Sequence, residues 1–177
     1  MKNLTVVLLL IFNTTAITYY LLRPSELATI VIKVEKGEEN RAIYLPDGSV
    51  AVIYEGSQLS FPSTFEGMQR REVDLVGEAF FDVKEDSSKK FIIHTEDLMT
   101  AVLGTAFSIE AYPDNDYILV NEIRGRVEVL NKYKTFGVLA KGDELIYNKE
   151  IADVVQEPMS NVEQDLKLDD VSLAEAI

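Results

Sequence analysis

The residues able to do chemistry are few and scattered along the chain. There is one histidine, His94, and no cysteine. Without cysteine there can be no disulfide framework, thiolate zinc site or thiol nucleophile. His94 lies in Phe91-Ile92-Ile93-His94-Thr95, an apolar run that reads as a strand. A general base also needs a nucleophile and an orienting group beside it, so His94 reads as a solvent-facing or partnered strand residue. No G-x-S-x-G elbow, phosphate-binding P-loop or dinucleotide fingerprint occurs. Asp114-Asn115-Asp116 opens like a calcium loop, but Ile118 and Leu119 stand where an oxygen ligand and a glycine are needed, so a turn is expected. Glu78, Asp82 and Glu85 could act as paired carboxylates only across a cleft; their spacing puts them on the solvated face of a strand. Arg70-Arg71 reads as a charge cluster at a strand edge, or as a landing point for an acidic partner. No catalytic, cofactor-binding or metal-ligating residue is assigned, and the chain is not read as an enzyme.

Composition narrows the classes further. The chain of 177 residues carries 17 basic and 30 acidic residues, a net charge of −13. The first 24 residues hold only Lys2 and Arg23 and no acid, so the remainder is more acidic still. Such a body repels phosphate backbones, which argues against a nucleic-acid partner. With 47% hydrophobic residues a chain of this size can bury one domain core.

Something must place that domain in a compartment. Leu4 to Leu22 is free of charge, and its polar residues are mild (Asn13, Thr14, Thr15, Thr18). Its helical length roughly matches a bilayer's ~30 Å apolar layer. Threonine hydroxyls can bond back to helix carbonyls. Tyr19 and Tyr20 suit the interface, and Arg23-Pro24 ends the segment with a charge and a breaker. The segment reads as an uncleaved membrane anchor. A secretory signal, with Leu4–Phe12 as its apolar core and Thr14-Thr15-Ala16 at the cleavage site, is the other reading. Either way residues 25–177 are exported.

The exported body has the period of strands. Phe107 to Ala111 and Arg126 to Val129 alternate apolar and polar, and Arg71-Glu72-Val73-Asp74-Leu75 places Val73 and Leu75 on one face. Ile30-Val31-Ile32, Val50 to Tyr54, Phe80-Phe81, Phe91 to Ile93 and Tyr117 to Val120 are rich in β-branched and aromatic residues. Turn signals recur about every 8–12 residues. In Pro46-Asp47-Gly48-Ser49 the proline presets φ and the glycine takes the positive-φ position. No helical period separates the strands, which argues against a parallel βαβ sheet. The expectation is a mainly β protein: an antiparallel β-sandwich or jelly-roll-like domain after one N-terminal transmembrane helix. Beyond Asn148 acids dominate. Pro158 and Ser160 read as a linker, and Leu166-Lys167-Leu168 followed by Asp170 to Ile177 reads as the opening of another domain.

Several strings then align in order: Leu45-Pro46-Asp47-Gly48-Ser49; Arg71 to Val83, with Leu75-Val76-Gly77-Glu78-Ala79-Phe80-Phe81 at its centre; Lys90 to Thr95; Val102-Leu103-Gly104-Thr105-Ala106-Phe107; Gly125 to Val129; and Lys141-Gly142-Asp143-Glu144. Together, over about Gly37 to Tyr147, they resemble the FecR family, the exported region of transmembrane anti-sigma regulators. Gly77 and Gly104 suit places where strands turn or approach closely, and Phe80, Phe81, Val83 and Phe107 supply area to hold two sheets together. The strings read as scaffold, and the family offers no catalytic residues to carry over.

What the resemblance implies is a relay. A TonB-dependent outer-membrane transporter loads a siderophore or glycan. Its periplasmic signalling domain engages the FecR-like protein, and an extracytoplasmic-function sigma factor is released or activated across the inner membrane. On this reading residues 1–3 are a residual cytoplasmic stub, 4–22 the transmembrane helix or signal anchor, 25–150 the periplasmic β domain, and 151–177 an acidic linker with the truncated start of a C-terminal domain. Met1-Lys2-Asn3 is too short for a sigma-binding helix, so that contact is expected to be missing. The alternative is an orphan periplasmic protein- or glycan-binding module without transcriptional output, with Tyr44, Tyr54, Tyr112, Tyr117 or Tyr133 as its aromatic platform.

Overall fold

The computed structural model describes residues 12–15, 17–18 and 27–159. Of the expected span Leu4–Leu22, the described residues are helical. There Thr15 Oγ1 donates to Phe12 O at 2.9 Å and Thr18 Oγ1 to Thr14 O at 2.8 Å. The rest of that span, and the expected start of a C-terminal domain beyond residue 159, lie outside the described residues. Among the described residues no helix is long and apolar enough to cross a membrane.

From Thr29 the chain is strand and turn. The strands are β1 (Thr29–Val34), β2 (Arg41–Tyr44), β3 (Val50–Ile53), β4 (Ser57–Pro62), β5 (Arg71–Asp82), β6 (Phe91–His94), β7 (Met99–Val102), β8 (Ala106–Ala111), β9 (Tyr117–Arg124), β10 (Arg126–Leu130), β11 (Thr135–Ala140), β12 (Asp143–Asn148) and β13 (Asp153–Pro158). The runs of β-branched and aromatic residues become strands as expected. The Pro46-Asp47-Gly48 turn closes with Gly48 N donating to Leu45 O at 2.9 Å, with Gly48 at φ 84°. The sheet also runs past residue 150, because β13 pairs along β12 from Asp143↔Pro158 to Asn148↔Asp153.

The sandwich differs from the expected one in two respects. Its layers are not separate sheets: one 13-stranded sheet folds over on itself, and β5 belongs to both layers. The first half of β5 pairs with β4 and β6, and its second half with β3 and β8. The first layer runs β1-β4-β5-β6-β7-β10-β11 and the second β2-β3-β5-β8-β9-β12-β13. The fold-over comes at Gly77, whose φ is +92°, a conformation that costs a residue with Cβ about 1–2 kcal/mol. A Cβ there would also stand 2.9 Å from the Ser57 Cα.

The second difference is that β5 and β6 are parallel, Arg71↔Phe91 to Asp74↔His94, while every other pairing among the described strands is antiparallel. Parallel neighbours ordinarily need a long crossover. Here residues 83–90 suffice, because β5 changes layer and its two ends face each other across the interlayer space, roughly 10 Å.

Between the layers lies the main core. Phe81 stacks on Phe107 at 5.5 Å between ring centroids, Phe81 lies 6.3 Å from Phe91, and Phe65 meets Phe91 edge-on at 6.0 Å. Phe81, Val83 and Phe107 hold the layers as the sequence suggests. Phe80 does not. It points to the other side of β5 and joins Val50, Val52, Ala106, Ile123 and Met159 in a separate apolar cluster, because β5 is covered on both faces.

The fold-over makes a specific stability prediction. Gly77→Ala meets both a strained φ and the Ser57 backbone, and should lose about 2 kcal/mol or more in urea denaturation. Gly67→Ala, at φ +72° with nothing within 4 Å of its new Cβ, should lose only about 1 kcal/mol. Equal losses would show that the close approach at Gly77 does not matter.

Candidate functional site

His94 extends from β6 and its Nε2 lies 3.2 Å from Glu72 Oε2, a partnered strand residue as anticipated. Asp82 accepts from Arg124 Nη2 at 2.6 Å, and Glu78 stands opposite Glu110 in the register of β5 and β8. Glu78 and Asp82 therefore share one face of β5, whereas Glu85 lies beyond the strand's end, in the loop against Gly104, so the three do not form the single strand face that the sequence suggests. Asp114-Asn115-Asp116 is a turn, with Asn115 N donating to Tyr112 O at 3.1 Å and Asn115 Nδ2 to Glu110 Oε1 at 2.8 Å. No group of three or more histidine, cysteine or acidic side chains suited to a metal occurs among the described residues.

The tyrosines proposed as an aromatic platform are dispersed. Tyr44 is on β2 and Tyr117 on β9. Tyr54 follows β3 and packs on the second cluster. Tyr112 is tied by its hydroxyl to Glu55 O at 2.9 Å. Tyr133 sits in the turn between β10 and β11, under Lys132. No ring contact among the described residues joins two of them.

The arginine pair is where the structure departs most from the sequence reading. Arg70 is exposed and lies a loose 3.8 Å from Glu72. Arg71 is 2% exposed and forms no edge cluster, since β5 has neighbours on both sides. By period 2 it shares the inward face with Val73 and Leu75. Its Nη1 donates to Asp47 Oδ2 at 2.7 Å and to Lys84 O at 2.9 Å. Its Nε and Nη2 both donate to Lys89 O, at 3.1 and 2.9 Å, and Nη2 reaches Leu103 O at 3.3 Å. The five N–H groups of a guanidinium are thus matched by five hydrogen bonds, and the cation rests 5.4 Å from the centre of the Phe91 ring.

This cluster joins strings far apart in sequence. Asp47 of the Leu45-Pro46-Asp47-Gly48-Ser49 turn also accepts from Ser49 N and Ser49 Oγ, and Ser49 Oγ accepts from Lys84 N at 3.0 Å. Leu103 O accepts from Asp86 N at 2.8 Å as well. At Gly104 a Cβ would lie 2.5 Å from the Glu85 Cα, so only glycine lets the two loops meet there. Every Arg71 bond goes to protein, so the cluster leaves no donor for a ligand. It is an organising node.

A second buried charge has no such matching. Glu122, opposite Phe107 in β9, is fully buried and neither carboxylate oxygen has a hydrogen-bond partner. Burial pushes its carboxyl up to about 7, opposed first by the nearby backbone N–H of Arg124 and then by the charges of Lys141 and Arg124, with Asp143 adding to the rise.

What remains for function is surface. Among the described residues β1, β2, β11 and β13 each pair with one strand only, so each presents a free edge able to accept another strand. Each also carries an exposed large apolar side chain: Val31, Tyr44, Val138 and Val155. Beside β1 an open groove of about 590 Å³ is lined by Leu27, Phe61, Met68, Arg70, Glu72 and Asp74 among others. The chain therefore offers strand edges and shallow mixed grooves at its surface.

Residues 30–128 match the profile of a family described as FecR protein. No curated protein matches the chain. Two crystal structures of a "putative anti-sigma factor" from Parabacteroides distasonis superpose on it. The first, at 2.50 Å resolution, has 29% sequence identity and a TM-score of 0.71 over 75% of this chain and 61% of that one. The second, at 1.65 Å, has 30% identity and a TM-score of 0.70 over 74% and 60%. The chain thus spans about three fifths of the length of the proteins it matches.

Two predictions follow from the buried charges. Asp47→Ala strands the Arg71 guanidinium and should cost about 3–5 kcal/mol in denaturant unfolding. Arg70→Ala should stay within about 0.5 kcal/mol, and a small loss for Asp47→Ala would refute the node.

For Glu122, whose carboxyl is raised from 4.5 to about 7, the folded state holds a proton that the unfolded state releases. Stability therefore falls as pH rises through that window, and the penalty is complete above it. The stability of Glu122→Gln relative to the parent should rise by on the order of 2–3 kcal/mol between pH 4.5 and pH 8. A pH-independent difference would mean the carboxyl is not perturbed.

Proposed function

Because the chain belongs to the FecR protein family, we propose that it is a regulatory protein of the anti-sigma type, exported from the cytoplasm and held at the inner membrane by Leu4–Leu22. The carrying observation is the match over residues 30–128, together with the way the matched strings assemble. They build one rigid body around Arg71 and leave strand edges as the accessible surface. That is the equipment of a signal receiver rather than of a catalyst. The likeness to a protein described as a putative anti-sigma factor at 29–30% identity supports the same reading.

The relay that fits runs from outside inward. The signalling domain of a TonB-dependent outer-membrane transporter docks on the periplasmic body, at a free edge that its own strand can extend. A sigma factor is the class of partner that the likeness to an anti-sigma factor supports at the other end, and residues 1–3 by themselves are not its binding helix. The acidic surface, at net charge −13, favours a basic face on whatever docks. The free edges support partner binding over the glycan-binding alternative, for which the scattered tyrosines give no platform.

The test is made in the native cell with the full gene product carrying an epitope tag. The protein should stay with inner-membrane vesicles through an alkaline carbonate wash. After cross-linking it should co-purify with a TonB-dependent transporter, and deleting its gene should change transcription of the uptake operon it controls by several-fold. Unchanged transcription together with no transporter in the cross-linked material would overturn the proposal.

A further inference from the structure

Sheet edges are commonly guarded by a charge within the edge strand, which deters another strand from pairing there. Three of the four edge strands follow that rule. β1 contains Lys33, β2 contains Arg41, and β13 contains Asp153 and Glu157. β11, Thr-Phe-Gly-Val-Leu-Ala, contains no charge.

Its charges stand at its ends instead, and they are of one sign. From Arg126 to Lys141 the β10–β11 hairpin holds four bases, Arg126, Lys132, Lys134 and Lys141, and one acid, Glu128. That acid is already held by Lys90 at 2.9 Å. All four bases are exposed. Lys132 and Lys134 precede the strand's first residue, Thr135. Lys141 follows its last, Ala140, and Arg126 stands opposite Ala140 in the register with β10. In a chain of net charge −13, positive charge thus brackets a strand about 20 Å long.

Between those ends the outward face is apolar. Leu139 belongs to the main core, and a Cβ on Gly137 would meet Gln156 Oε1 at 3.0 Å. By period 2 Val138 points the other way, and it is 54% exposed. Beside it lies an open groove of about 280 Å³, lined by Val138, Leu103, Arg126, Lys90 and Glu128 among others. Leu103 is also exposed.

We propose that β11 is a docking edge for an acidic strand of another protein. That strand has an apolar residue beside Val138 and Asp or Glu at both ends. Main-chain hydrogen bonds along the edge supply affinity, an apolar side chain covers Val138 and Leu103, and the flanking charges select the partner. The same bases oppose pairing of β11 with β11 of a second copy. The inference goes beyond the relay. The body as a whole favours a basic partner face, whereas this edge selects an acidic strand, whatever output follows.

The test uses the full chain in the native cell, with a photo-cross-linking phenylalanine analogue in place of Val138 or, as the reference edge, of Val155 on β13. Irradiation should join the Val138 position to a partner, and mass spectrometry should find the joined peptide to be an acidic, strand-forming segment absent from the Val155 adducts. Lys132→Glu combined with Lys134→Glu should cut the Val138 adduct at least tenfold while the urea midpoint of the purified protein stays unchanged. Should that midpoint fall, Arg126→Glu combined with Lys141→Glu decides by the same tenfold criterion. No adduct at Val138, an adduct with a segment lacking acids or with a second copy of this chain, or one that survives the charge reversal would overturn the proposal.

Discussion

Everything in this fold is arranged around one buried cation. Taking a guanidinium out of water costs several kcal/mol even after relaxation, and the protein offsets that only by giving Arg71 a carboxylate, four carbonyl contacts and an aromatic ring. Those partners come from the turn before β3, the crossover between β5 and β6, and the loop after β7. None of the three is regular structure. Each has carbonyls or a carboxylate that would otherwise have to find water or other donors. The arginine thus exchanges one desolvation cost for the ordering of three loops, and it explains how a parallel pair can exist without a crossover helix. The loop from Val83 to Lys90 wraps the cation through Lys84 O and Lys89 O, and it delivers β6 beside the start of β5.

The sequence carried more of this than its plainest reading extracts. Arg71-Glu72-Val73-Asp74-Leu75 alternates, and the rule that put Val73 and Leu75 inside puts Arg71 with them. The neighbouring Arg70 suggested a surface cluster because adjacent like charges are usually solvated, but neighbours on a strand point to opposite faces. Period 2 outranks charge there. Asp47 was legible as a turn residue and not as the counterion, because a separation of 24 positions from Arg71 gives no local signal of their meeting. The strands, the turns and the close approaches at Gly77 and Gly104 were legible because each is set by its own residues. That two layers share β5, or that Phe80 and Phe81 serve different cores, depends on pairing partners far along the chain.

Glu122 marks the opposite case. Where Arg71 has every donor matched, the Glu122 carboxylate has neither oxygen matched, so the two buried charges contribute with opposite sign at neutral pH. No motif distinguishes Glu122 in the sequence. It is one of 30 acids, and only the pairing of β9 with Phe107 on one side and β12 on the other encloses it. A β-bulge falls beside it, where the register slips between Ala106 and Phe107, and bulges collect next to positions that are not purely structural.

The sheet is not held equally along its length. The chain enters the body through β1 and leaves its described part through β13, and each of these pairs with a single neighbour. The Arg71 node lies on β5, which pairs with four strands. A pull or a docking event at either end therefore acts on strands held by one ladder of hydrogen bonds, whereas the centre is held by two ladders, the ring cluster and the buried ion pair. Local opening free energies follow such differences. By that measure β1 and β13 are among the most weakly held strands and the Arg71 node on β5 is the most strongly held. That ordering of stabilities follows from where one arginine is buried.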